Sequence, residues 1–153
     1  MDHSHPALQI TARTKLPALS AVAALDACFH ARSRDLTHWK VSTATGGLTL
    51  TGTTPRPRPE STSTRQLRGD LEIAAGHVVP VGVDLMENRR RCVVAVRPLG
   101  PVGRSTGRAS ETGYVRAASE AAEALVLVLE DTVEQWVAAI DDHVEKASPR
   151  SGY

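Results

Sequence analysis

Few residues in this chain have types and spacings that could do chemistry. Met1-Asp2-His3 sets an imidazole third from a free amine. With the intervening amides, that arrangement can hold Cu(II) or Ni(II) in a square plane, although exposed termini acquire it by chance. His30, His38, His77 and His143 are scattered, and none stands at metal-ligand spacing from another His or Cys. The run from Gly100 to Gly107, with Arg104, Ser105 and Thr106, has the look of a phosphate loop. It lacks the Gly-Lys-Ser/Thr ending, and no helix is expected to start immediately after it, so a linker is the better reading. Arg89-Arg90-Arg91 falls at an expected hairpin tip, where a solvated turn that also blunts aggregation is the default. No serine sits in a Gly-x-Ser-x-Gly elbow. Cys28 and His30 are close in sequence but point in different directions on a helix. No pair of carboxylates stands out. These residues favour a protein without reaction chemistry and call for no metal and no cofactor; an enzyme without familiar motifs is a third reading.

Composition narrows the classes further. The chain has 153 residues, enough for one domain or a domain with an extension. Its formal net charge is +1, which gives no global steering toward nucleic acid or membrane. Aromatic residues make up 3%, too few for a stacking platform, and nucleic acid is disfavoured as a partner. The charge is unevenly spread: arginines crowd the middle, from Arg56 to Arg108, and carboxylates crowd the end, from Glu120 to Glu145. Two solvated faces, touching each other or not, explain this most simply; a partner-binding polarity is the sharper alternative. No apolar run approaches the roughly 20 residues that span a bilayer, and the first residues do not read as a signal peptide. Cys28 and Cys92 read as reduced core thiols, which places the protein in the cytoplasm.

The elements that would position these residues can be read from periodicity. Leu8, Ile10 and Ala12 alternate with polar residues, as in a half-buried strand over 7–13. Pro17 suits a helix start, and the Ala-rich run to about residue 33 favours helix. Trp39, Val41 and Thr43, then Gly46-Gly47, then Leu48 and Leu50 predict a hairpin. Pro55, Pro57 and Pro59 make a stiff connector. Over 64–75 a helix is expected, with Leu67, Leu71 and Ala74 on one face and Gly76 as its C-terminal cap; a strand using Leu71 and Ile73 is the alternative. Val79, Val81, Val83 and Leu85 form the clearest strand, and Pro80 within it predicts a sheet edge. Cys92, Val94 and Val96 supply its hairpin partner. Residues 100–113 read as a Gly/Pro/Ser-rich linker. From 114 to 147 a long amphipathic helix carries the stripe Ala118, Ala122, Leu125, Leu129, Val133, Trp136, Ile140 and Val144, with Trp136 expected to be largely buried.

The segment from Leu8 to Val22, with Leu16-Pro17-Ala18-Leu19, resembles the first strand, loop proline and first helix of an ACT domain. Gly47-Leu48-Thr49-Leu50-Thr51 resembles the third strand, and Leu67, Leu71 and Val79 resemble the second helix and last strand. The nearest flavour is the small regulatory subunit of acetolactate synthase, and the resemblance spans residues 7–85. It implies a ferredoxin-like β-α-β-β-α-β sandwich, a homodimer, and an amino-acid-like effector at the first strand–helix junction. One departure bears on that effector: the family commonly has Gly after the loop proline, where this chain has Ala18.

The fold class expected is therefore α+β: a ferredoxin-like sandwich over 7–99 with an added strand, a linker, and a C-terminal helix. The first functional expectation is a non-enzymatic regulatory module that binds an amino-acid-like molecule or an anion at Thr14, Lys15, Leu16, Pro17 and Ala18, where helix-one amides would favour a carboxylate. The second is an assembly factor whose acidic C-terminal helix docks on a protein partner. A homodimer is expected in either case, with Leu48, Leu50, Val79, Val81 and Val83 as available apolar surface and the edge strand favouring its own copy.

Overall fold

The computed structural model describes residues 8–32, 38–53, 63–100, 102 and 108–147. The elements in chain order are β1 (Ile10–Arg13), α1 (Ala18–Arg32), β2 (Trp39–Ser42), β3 (Gly47–Thr53), β4 (Ser63–Ala74), β5 (His77–Asn88), β6 (Arg91–Pro98) and α2 (Arg108–Ala147). The class is α+β, with one antiparallel sheet of strand order β1-β6-β5-β4-β3-β2. β1 lies at one edge. α1 carries the chain to the other edge, and the meander β2 to β6 walks back until β6 pairs with β1, Ile10 opposite Val96 and Arg13 opposite Val93.

Period-two alternation places one apolar row per strand under the helices. Val79, Val81, Val83 and Leu85 of β5 and Cys92, Val94 and Val96 of β6 are buried, as are Leu48, Leu50, Leu67 and Leu71. α1 covers them with Leu25, Cys28 and Phe29, the last edge-on to Trp39 with ring centroids 5.9 Å apart. α2 covers them with Tyr114, Ala118, Ala122, Leu125 and Leu129. Alanine at so many buried α2 positions lets the helix axis lie close to the sheet at native packing density. The opposite sheet face bears exposed Lys40, Arg68 and Asp70, where an antiparallel sheet tolerates solvent, while Gly82, Asp84, Val93 and Ala95 at its β5–β6 part are buried.

Four expectations are corrected. Residues 64–75 lie in β4 and the turn after it, not in a helix, so the order is β-α-β-β-β-β-β-α. Leu67 and Leu71, which the ACT resemblance places on a second helix, pair across β4 with Val83 and Val79. The strand with Pro80 is central, not an edge. Pro80 accepts from the Leu99 amide (2.9 Å), so its nitrogen faces the end of β6, where the ladder runs out after Pro98. The linker is shorter than 100–113, because α2 begins at Arg108. Finally, Trp136 is 37% exposed, because the last third of α2 has left the sheet behind. The connector with Pro55, Pro57 and Pro59, the Met1-Asp2-His3 terminus and Arg104 to Thr106 lie outside the described residues.

Candidate functional site

The first strand–helix junction is built around the Thr14 hydroxyl. Thr14 is buried, and its Oγ1 donates to the Cys92 carbonyl (3.0 Å) and accepts from the Leu16 amide (2.9 Å). The Cys92 amide donates to the Leu16 carbonyl (2.8 Å), and the Ala21 amide to the Pro17 carbonyl (3.0 Å). The structure thus brings Thr14 and Leu16 together against β6, with Leu16 and Ala18 buried in the core and Lys15 and Pro17 outside. The Lys15 amide is occupied as well: it donates to the Glu130 carboxylate of α2 (2.8 Å).

Glu130 has a counterpart ten residues earlier. Glu120 Oε1 accepts from the Thr45 amide (3.1 Å) and from the Thr45 hydroxyl. α2 is therefore fastened to the β1–α1 loop by one glutamate and to the β2–β3 loop by another. These carboxylates meet backbone amides rather than the arginines of the middle of the chain. The ion pairs among the described residues are Arg65–Asp26 (3.2 Å) and Arg97–Asp84 (3.4 Å). Nothing in the sequence marked Glu120 or Glu130, because an i,i+4 pattern says nothing about a loop reached through the fold.

Cys28 and Cys92 are both free and buried. Burial pushes the Cys92 thiol up to about 11, so it holds its proton and is a poor nucleophile near neutral pH. His30, His38 and His77 are exposed. Among the described residues no group of three His, Cys, Asp or Glu is placed to hold a metal. Among the described residues no helix is long and apolar enough to cross a membrane.

The remaining conspicuous feature is the outer part of α2. The helix has 40 residues, about 60 Å at ~1.5 Å per residue. Its apolar stripe is buried through Leu129 and half-buried at Val133. It then continues unbroken onto Trp136, Val137 and Ile140, the last two 51% and 61% exposed. Every residue from Glu134 to Asp142 is exposed. Helical periodicity sets Asp131 and Asp142 on the side away from that stripe, with Glu134 and Asp141 along its margin beside Val137. The projecting segment is thus amphipathic, with its apolar face presented to solvent.

No family model, curated protein or solved structure matches the chain. The functional reading rests accordingly on this geometry: a junction whose Thr14 hydroxyl and Lys15 and Leu16 amides are bonded within the chain, and a helix whose apolar face is not covered by the described residues.

Proposed function

We propose that the protein is a non-enzymatic assembly module that self-associates through the outer third of α2. The observation that carries this reading is the continuity of the stripe Leu129, Val133, Trp136, Ile140 from the core into solvent. A helical extension of this length is marginal in water by itself, and tertiary or quaternary packing of its apolar face is what stabilises it. A second copy is the matching occupant. The stripe carries no charge, Asp131 and Asp142 lie on the far side, and two such helices can cross on a two-fold axis with Glu134 and Asp141 at the solvated rim, where their repulsion is screened. The sheet offers no comparable surface. β1 and β2, the two edges, have four residues each, and short edges pair poorly with a copy. Leu48, Leu50, Val79, Val81 and Val83 are already under the helices. Binding of an effector at Thr14 to Ala18 has less support, because the Thr14 hydroxyl and the Lys15 and Leu16 amides are engaged internally.

Sedimentation equilibrium at micromolar concentration tests the proposal. The expected mass is twice 16.3 kDa. Ile140→Glu, which adds charge to the stripe outside the folded core, should weaken the dimer by roughly thirtyfold or more, as loss of an interface hot spot does, and leave the far-UV circular dichroism unchanged. A monomer of 16.3 kDa at all concentrations would sink the reading.

A further inference from the structure

At the corner where β1, β5 and β6 meet, the open face of the sheet holds a hollow of about 210 Å³ lined by Arg13, Asn88, Arg89, Arg91 and Val93. The pairing explains the convergence. Arg13 lies opposite Val93, and Asn88 opposite Arg91. Alternation puts Arg91 and Val93 on one face of β6, so two arginines from strands far apart in the sequence line the same hollow. Arg89 closes the third side from the hairpin tip. No carboxylate lines the hollow, and among the described residues none of the three arginines has an acidic partner. Glu87, the carboxylate nearest in sequence, pairs with Cys92, and alternation turns it to the other face.

The backbone makes a second, independent point. Arg89 and Arg90 have φ of 54° and 68°. Two successive left-handed residues between paired strands form the tight hairpin loop that favours Asn-Gly. Here two arginines occupy it, against their conformational preference, and one of them lines the hollow.

We propose that this corner binds a small phosphate-bearing anion. Three guanidinium groups supply more positive charge than a single carboxylate can neutralise. Their forked donors, with the Asn88 carboxamide, suit an oxyanion that accepts from several directions, as a tetrahedral dianion does. The hollow is smaller than the pockets that enclose drug-sized ligands, so it takes the phosphate and at most a small body resting on Val93. No aromatic ring lines it to stack a base, which separates it from a nucleic-acid groove. The site stands independently of how α2 assembles.

The probes are inorganic phosphate and phenyl phosphate, titrated into the full chain against chloride at matched ionic strength, with thermal shift and ³¹P line width as readouts. Phosphate should raise Tm saturably where chloride does not; tighter phenyl phosphate would assign a monoester, and equal affinity the free ion. Arg13→Gln should weaken binding about tenfold or more, as loss of a charge-assisted hydrogen bond does. Arg68→Gln, on the same open face but outside the hollow, should leave it unchanged. The double variant Arg89→Asn/Arg90→Gly separates binding from folding: Tm without ligand should rise as the turn relaxes, while the phosphate response shrinks. A phosphate response equalled by chloride, or equal in Arg13→Gln and Arg68→Gln, would overturn the proposal. A double variant that gains Tm and keeps the full response would overturn the role of Arg89.

Discussion

Tyr114 shows how a single residue can carry unrelieved polarity in an otherwise satisfied core. It is fully buried on the sheet side of α2, and its hydroxyl has no partner among the described residues. Burial drives its ionisation well above the usual phenol range, with Arg97 opposing weakly. A buried, unpaired hydroxyl costs about 1–3 kcal/mol relative to one in water. Tyr114→Phe keeps the ring and removes that cost, so urea unfolding should show a gain of about 1 kcal/mol; a loss of similar size would mean the hydroxyl is paired. At this scale the sequence was informative for apolar residues and mute for polar ones. The alternating valines of β5 and β6 announced their burial. Arg13 did not announce that it shares a hollow with Arg91, because that hollow exists only once β1 has paired with β6. Gly69 is silent in the sequence for a related reason: it sits in β4 where a Cβ would come within 2.7 Å of the Thr49 carbonyl oxygen, a close approach that only glycine allows.

At the scale of elements, the two strongest punctuation marks were ambiguous in kind rather than in place. Gly76 has φ of 74°. A helix cap and a hairpin turn both ask a glycine for that conformation, so it could not say whether the preceding residues were helix or strand. Leu67, Leu71 and Ala74 fit helical spacing, while Leu67, Gly69, Leu71 and Ile73 are the row that the strand buries. Pro80 marked a lost donor correctly, but a ladder that ends beside a central strand removes the donor's partner as well as an edge does. The long helix was legible in type and in where it ends, but it starts at Arg108, six residues before the expected 114. Its periodicity could not reveal where the sheet beneath it stops, and so Trp136 read as core. That boundary gives an element-scale expectation. Through Asp142, a chain ending at Val133 loses only exposed residues, so its unfolding free energy should stay within about 0.5 kcal/mol of that of the monomeric Ile140→Glu variant. Gel filtration of the same truncated chain should show the monomer.

For the molecule as a whole, buried acids set an alkaline limit on stability. The folded state holds the Cys92 proton to about 11 against an ordinary value of 9.0, and Tyr114 is raised too, both by burial. Above the ordinary value the unfolded chain ionises while the native chain does not. The unfolded state then binds fewer protons, and stability falls as pH rises. The thiol contribution is fully present below about pH 9 and declines through about pH 11, by about 2–3 kcal/mol in all. Urea midpoints at about pH 8 and about pH 10 should show that fall. Cys92→Ala should flatten it even though the substitution lowers stability at every pH.

The closing of the sheet also has a consequence in time. β1 is made first and pairs only with β6, whose residues Val93 to Val96 leave the ribosome some eighty positions later. At roughly 5–20 residues per second, that interval is on the order of ten seconds. The meander from β2 to β6 can form from neighbouring hairpins while it emerges, but the first strand has no place to go until the last strand exists. Pairing of such large sequence separation is the slow, entropically late step in folding. During synthesis, then, Arg13 waits for Arg91, and the cationic corner is the last part of the sheet to come into being.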